Sequence, residues 1–419
     1  MKRITIIFSV LLLSMISYAE QRSMDDVMRI AGKFLPTAAQ RRCVRSSEII
    51  NSNIKQDAFY VVSNQSNKGF VIVSSDTRMP AVLAISDEEV SWTDNQIPEH
   101  IMWVLNSYSD GLARINNGEA ADEVFPQLSI VGAKNEVTSL LGDIKYDQGY
   151  PYNMMCPKKG SQNCLTGCVA TAMAQLMRYY KYPECGVGTF TVNSSGKSLS
   201  VDLSKMPFDW NNMLASYKGS DFTTAQAEAV ATLMYACGAS VNMNYGVDGS
   251  SSQSDYVQPA LTQNFGYSNA ARYVQGEGTD PNQKPYFDWI PTLIEQFEKG
   301  HPVYFAGAPG GAGHAFLLDG YKGAYVDNVE DVLFHVNWGW SGEMNGFFYL
   351  NNLNPDGTNY AGFRSEWVFN IYPESWTSIQ VVEGSRETGK IYNIFGQEVQ
   401  QESLQPNTIY IRDGKKFIK

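Results

Sequence analysis

Between about residues 135 and 375 the sequence changes period near residue 300, and that change limits the available folds more than any other feature. Upstream, apolar residues recur at helical spacing. One such stretch runs from Cys168 through Ala172, Leu176, Met177 and Tyr180 and ends before Pro183. A second runs from Thr224 to Cys237, stopped by Gly238, and a third from Phe287 to Lys299, stopped by Gly300. Downstream, Pro302–Phe305, Ala315–Leu318, Val332–Val336 and Phe347–Leu350 are short β-rich runs separated by glycine turns. Helices followed by antiparallel strands predict an α+β domain in two lobes with a cleft between them.

Residues 20–134 predict a second, smaller α+β unit. Met24, Val27, Met28, Ala31 and Leu35 share a helical face that stops at Pro36. Phe59–Val62 and Phe70–Val73 read as a hairpin, and Ile101–Ile115 as an amphipathic helix. Pro126–Lys145 holds few large core residues before Val137 and contains the loose Gly132-Ala133-Lys134-Asn135. It reads as a linker, the place where a precursor would be cut. Residues 376–419 form a small module with β-like repeats at Lys390–Asn393 and Ile409–Ile411. Residues 1–19 carry Lys2 and Arg3, an apolar run Ile4–Met15 and Ser17-Tyr18-Ala19, an export signal. That run is shorter than the roughly 20 apolar residues of a spanning helix, and no later segment is long and apolar enough to span.

The formal net charge of −11 becomes −13 without Lys2 and Arg3, and no basic cluster interrupts the acidity. The acidity disfavours nucleic acid and anionic membrane as partners. Six cysteines in an exported chain ordinarily mean disulfides. Cys43 stands apart; if Cys168 stays free for chemistry, Cys156, Cys164, Cys185 and Cys237 suffice for two bridges of undetermined pairing. A zinc site is disfavoured, because the Cys164-x-x-x-Cys168 spacing has no matching second pair and no nearby histidine.

Cys168 opens a helix in Thr166-Gly167-Cys168-Val169-Ala170. Unpaired N–H groups and the macrodipole there favour a thiolate, with a pKa expected in the range of roughly 3.5 to 7.5 once an imidazolium is added. Four histidines compete for that role: His100, His301, His314 and His335. His314 follows the glycine run Gly310-Gly311-Ala312-Gly313 and begins a β-rich segment, which suits a general base. Asn337, where a strand gives way to glycine, is a candidate to orient the imidazole, with Trp338 to shield that bond. Gln148 is a candidate side-chain donor to an oxyanion, alongside the Cys168 N–H. Each has an ordinary alternative: a buried thiol at a helix entry, a histidine in a turn, an asparagine and two tryptophans ending a core strand.

The combination is more specific than its parts. Tyr146–Asn153, Thr166–Gln175, Gly313–Phe316 with Asp319-Gly320, and His335–Trp340 occur in the order, and with the residues, of the streptopain family of papain-like cysteine peptidases, which 135–375 closely resembles. Residues 20–134, notably Gly69–Ser74 and Asp76–Pro80, are similar to that family's inhibitory propeptide in its Bacteroidetes-type zymogens. The tail is similar to sorting or adhesion modules. The resemblance implies a two-lobed papain-like fold and a secreted or surface-associated endopeptidase made as a zymogen. It also implies the roles: Cys168 as nucleophile, His314 as base and acid, Asn337 as orienting group, Gln148 as oxyanion donor and Trp338 as cover. Gly310, Gly311 and Gly313 would shape the substrate groove, and a hydrophobic residue would be preferred two places before the scissile bond. Substrates would be proteins and peptides, the propeptide an intramolecular inhibitor, the enzyme a monomer, and no metal or organic cofactor would be required. An inactive binding protein on this scaffold, or a thiol acyltransferase or amidase, are the rival readings. One departure stands out: Cys156 and Cys164 lie between Gln148 and Cys168, a segment shorter than the family's, and a Cys164–Cys168 disulfide would silence the nucleophile reversibly.

Overall fold

The computed structural model describes residues 21–375 apart from 36–40, 51–55, 65–67, 90–91, 93–96, 98, 126–135, 195–196, 278–288, 308–312, 328 and 351–363. In the tail it describes 390–393, 398–399, 404, 409–412 and 415–418. The signal at 1–19, the loose residues around Lys134, and Gly310 and Gly311 lie outside the described residues. Among the described residues no helix is long and apolar enough to cross a membrane.

The expected texture change is present. Helices Cys168–Tyr180 and Thr224–Ser240 pack together in one lobe, and helix Trp289–Glu298 precedes the antiparallel strands Val303–Gly307, His314–Val326, Val329–Asn337 and Gly346–Phe348. The Thr224 helix runs through Gly238 instead of stopping there. A Cβ at Gly238 would lie 2.2 Å from the Tyr245 hydroxyl, so glycine serves close packing inside the helix, not termination.

The strands are apolar on consecutive residues because both faces are covered. Val303, Phe305, Phe316 and Leu318 enter one core, while their alternates Tyr304, Ala306, Ala315 and Leu317 enter the core of the helical lobe. One sheet is thus the common wall of two cores, and the Cys168 helix packs against the strand that His314 opens.

The N-terminal unit is not a separate body. Helices Met24–Phe34 and Glu99–Asn116 flank strands Phe59–Asn64, Lys68–Ser74 and Val82–Glu89, and the last of these pairs antiparallel with Gly346–Phe348 through Phe347↔Ile85 and Phe348↔Ala84. An 11-stranded sheet therefore runs from Arg41–Arg45 to Arg272–Glu277 without a break. The N-terminal residues Val27 to Phe125 share their core with Leu293 to Phe369. The Asp76–Pro80 motif closes this unit internally. The buried Asp76 carboxylate receives Arg78 at 2.9 and 2.8 Å, and Arg78 reaches Asn116 Oδ1 at 2.6 Å, joining the turn after a strand to the end of a helix.

The stretch read as a linker up to Lys145 is packed from residue 136 onward. Glu136–Val137 pairs with Lys322 and Tyr321, and Leu141 is buried. Its polar residues concealed an anchor, because the partners are backbone groups and one buried carboxylate. The six cysteines are free thiols, Cys156, Cys164 and Cys237 buried, so the two expected bridges and the Cys164–Cys168 link are absent from this structure. The tail forms a four-stranded sheet with a minimal core of Ile391, Leu404 and Tyr410.

The seam offers a direct test. The fully buried Tyr108 hydroxyl lies 2.9 Å from the Leu83 carbonyl and 3.1 Å from that of Tyr349, one on each side of the seam. Tyr108→Phe is expected to destabilise the uncut chain by about 1–2 kcal/mol, as the Tyr349 carbonyl loses this donor while the Leu83 carbonyl keeps the Tyr349 N–H, read from the urea midpoint.

Candidate active site

Cys168 is the first residue of its helix, after Gly167 at φ 86°. Glycine is required there on two counts: the conformation is left-handed, and a Cβ would sit 2.7 Å from Met243 Sδ. The loop is tied on both sides. Thr166 N–H donates to the Gln148 carbonyl at 3.1 Å and Leu165 N–H to the Gly246 carbonyl at 2.9 Å, while Thr171 N–H and hydroxyl both donate to the Gly167 carbonyl at 3.0 Å. The sulfur meets the backbone N–H groups of Ala315, Val169 and Cys168 itself. The nucleophile candidate of one lobe thus faces the start of the strand whose first residue is His314.

The electrostatics differ from the expected low-pKa thiolate. Cys168 is partly exposed as a residue, and desolvation pushes its thiol above the ordinary value against the opposing pull of the N–H groups. Burial acts on the imidazole in the opposite sense, lowering His314 to about 4, with the Trp338 carbonyl resisting. Both shifts act against the charged form of each partner.

His314 Nε2 lies 2.9 Å from the Trp338 carbonyl and 3.2 Å from the indole Nε1 of Trp340. The two contacts are alternatives: Nε2 with its proton donates to the carbonyl, and without it accepts from the indole. The expected partner, Asn337, is 1% exposed and engaged elsewhere. Its Nδ2 donates to the Ile144 carbonyl at 2.8 Å and its Oδ1 accepts from Gly339 N–H at 3.2 Å. The indole facing the imidazole is that of Trp340, with ring centroids 6.0 Å apart. Trp338 instead packs between Phe316 and Phe348, at 4.7 and 5.5 Å, and donates its indole N–H to the Met344 carbonyl. Gly339 at φ 75° separates the two tryptophans, sending one into the core and one onto the histidine. The second tryptophan of Asn337-Trp338-Gly339-Trp340 was the available signal for this role.

Gln148 is half-buried beside the nucleophile loop through its carbonyl bond to Thr166, and Asp147 accepts the Ser341 hydroxyl at 2.8 Å. Gln175, two turns along the Cys168 helix and fully buried, accepts Tyr146 N–H at 2.9 Å, and its Nε2 has no partner among the described residues. Its place behind the catalytic loop was not anticipated. Gly313 is exposed just before His314. The rival histidines are placed apart from the thiol. His301 is buried and stacked on Tyr372 at 4.5 Å, His335 is held by Asp319, and His100 lies in the N-terminal unit's long helix.

A helix-opening cysteine facing a strand-opening histidine across two lobes is the layout of a thiol peptidase, and comparison with known proteins agrees. Residues 146–348 match the model of the peptidase C10 family, and residues 19–111 match that of the Spi protease inhibitor. Streptopain of Streptococcus pyogenes serotype M1 is 35% identical over 285 residues, covering 63% of this chain and 67% of the relative. The thiol protease/hemagglutinin PrtT of Porphyromonas gingivalis is 36% identical over 242 residues, 55% of this chain but 26% of the relative. A prointerpain A fragment from Prevotella intermedia superposes with a TM-score of 0.64 at 29% identity, covering 80% of this chain and 100% of that one. The two-lobed papain-like fold and the propeptide-like N-terminal unit are thereby accounted for together: this chain belongs to the peptidase C10 family of cysteine proteases.

Proposed function

We propose that the chain is an exported endopeptidase precursor whose processed form cleaves proteins through Cys168, His314, Asn337 and Gln148. The observation that carries this reading is the Cys168 sulfur at a helix start, met by the N–H of the residue after His314. In the reaction the thiolate attacks a peptide carbonyl. The Cys168 N–H and the Gln148 side chain hold the oxyanion, His314 protonates the departing amine, and water then releases the thioester. Asn337 holds the imidazole once that ring leaves the Trp338 carbonyl, and Trp340 covers it.

Latency follows from the same atoms. The N-terminal unit reaches the histidine through a short chain of bonds: the Ser86 hydroxyl donates to the Asn345 carbonyl, Asn345 Oδ1 accepts Trp338 N–H at 3.0 Å, and the Trp338 carbonyl engages His314. With that unit in place the imidazole is held off Asn337 and the thiol stays protonated. Cleavage near Lys134, beyond the last N-terminal helix, begins activation. The tail serves as a sorting or adhesion module, and the processed enzyme acts as a monomer.

Expression of Cys168→Ala should yield an uncut chain, and sequencing of the wild-type product should begin close to Asn135. A product starting well inside 150–170, or a variant cut as fast as wild type, would contradict self-processing. A thiol-directed peptidase inhibitor that failed to label Cys168 after processing would favour an inactive scaffold. Intact but modified chains in place of fragments would favour an acyltransferase.

The protonated thiol predicts a pH signature. In the uncut chain, iodoacetamide should react slowly with Cys168 at pH 7 and accelerate only above the ordinary thiol value of 9.0, because burial raises the folded pKa. Once the chain is cut and the N-terminal unit has been lost, the reaction should already be fast between about pH 6 and 7, as for a thiolate paired with imidazolium. Equal profiles for the uncut chain and for the enzyme freed of that unit would sink this account of latency.

A further inference from the structure

We propose that Asp319, held by His335, is a positioning residue for the peptidase reaction: it clamps residues 139–141 and so fixes the strap 139–148 that braces Asn337 and presents Gln148. The clamp is built from four contacts. Asp319 is 0% exposed, and its Oδ2 accepts the Ser139 hydroxyl at 2.6 Å and Leu141 N–H at 2.9 Å. Its Oδ1 lies 2.5 Å from His335 Nδ1, which donates to it, and its backbone carbonyl accepts Leu140 N–H at 2.8 Å. The strand register shifts between Leu318 and Gly320, a bulge at Asp319 of the kind that redirects a side chain out of the ladder. At Gly320 a Cβ would lie 2.6 Å from the Val137 carbonyl and 2.9 Å from that of Thr138, so the strap runs closer to the strand than any side chain would permit.

From the clamp the strap leads directly to the reacting groups. Ile144 N–H donates to the Leu141 carbonyl at 3.1 Å, and the Ile144 carbonyl receives Asn337 Nδ2 at 2.8 Å. Two residues on, Tyr146 N–H donates to Gln175 on the Cys168 helix and the Tyr146 carbonyl accepts Ser341 N–H; Gln148 then receives Thr166 N–H from the nucleophile loop. One buried carboxylate therefore sets the origin of a ten-residue segment that touches Asn337 and carries Gln148. It sits five residues beyond His314 on the same strand. The clamp also limits maturation: a cut after Leu141 would strip Asp319 of Ser139, Leu140 and Leu141 and leave it only His335.

This inference rests on the roles proposed for Asn337 and Gln148. It is tested on the processed enzyme, cut in trans by a trace of wild type where a variant does not cut itself. Asp319→Asn, Asp319→Ala and Ser139→Ala are compared with Asn337→Ala and Gln148→Ala by kcat and KM on a peptide substrate, by iodoacetamide labelling of Cys168, and by thermal midpoint. We expect Asp319→Ala to lose about 10- to 100-fold in kcat, the penalty of displaced reacting groups, with KM within about threefold and Cys168 still labelled. Asp319→Asn, which keeps an acceptor for Ser139 and Leu141, should lose less. If Asp319→Ala does not fold, Asp319→Asn and Ser139→Ala decide. A folded Asp319→Asn and Ser139→Ala with wild-type kcat, or losses that merely track the unfolded fraction, would overturn the positioning role. If Asn337→Ala and Gln148→Ala keep wild-type kcat, the catalytic reading fails instead.

Discussion

One sheet, buried on both faces, sets the terms for everything else in this molecule. Its strands Val303–Gly307 and His314–Val326 send alternate side chains into two cores, so the helical lobe that carries Cys168 and the unit that carries the propeptide are packed against opposite sides of the same wall. Pairing of Val82–Glu89 with Gly346–Phe348 extends that wall into the N-terminal unit by strand addition, where main-chain hydrogen bonds supply attachment and buried apolar residues supply its strength. The inhibitory segment is therefore an edge of the enzyme's own sheet rather than a plug held by a tether.

Burial works against charge on both of the assembled residues. A helix N-terminus favours a thiolate, and the N–H groups of Ala315, Val169 and Cys168 are in place to do so, yet desolvation outweighs them. The same closed environment disfavours the imidazolium. Each shift removes the charge that would stabilise the other: a thiolate needs its cation, and the cation needs its thiolate. A gain in water access or a move of the ring would relieve both penalties and favour the ionic pair.

Much of this was legible in the residues. Helical spacing located Cys168–Tyr180 to the residue, because a largely apolar run bounded by Gly167 and Pro183 leaves few choices. The β-rich runs at 315–318 and 332–336 were cores of longer strands, since charged and small residues such as Lys322 and Asp331 extend them where propensity alone is silent. The strand Val82–Glu89 was missed altogether, as its acidic end carries no strand signal; it pairs on one side with Lys68–Ser74 and on the other with Gly346–Phe348, more than 250 positions away. Within the site, residue identity found the participants but not their arrangement. Trp338 and Trp340 are equivalent by spacing, and only the left-handed Gly339 decides which faces the histidine.

The seam also constrains how latency can end. Phe348, Tyr349 and Leu350 are at most 1% exposed, and Ile72, Leu83 and Ala84 opposite them are fully buried. Separating the two sides would uncover apolar surface and leave a sheet edge unpaired, a state that sheet proteins avoid. A cut in the 126–135 segment breaks the covalent connection without touching any of these contacts. Cleavage alone therefore leaves the Ser86–Asn345–Trp338 chain standing, and with it the bond that keeps His314 off Asn337. On the latency proposed above, activity follows from loss of the seam, through further cleavage of the N-terminal unit or its unfolding, while the strap from Ser139 onward stays clamped to Asp319 on the enzyme's side of the cut.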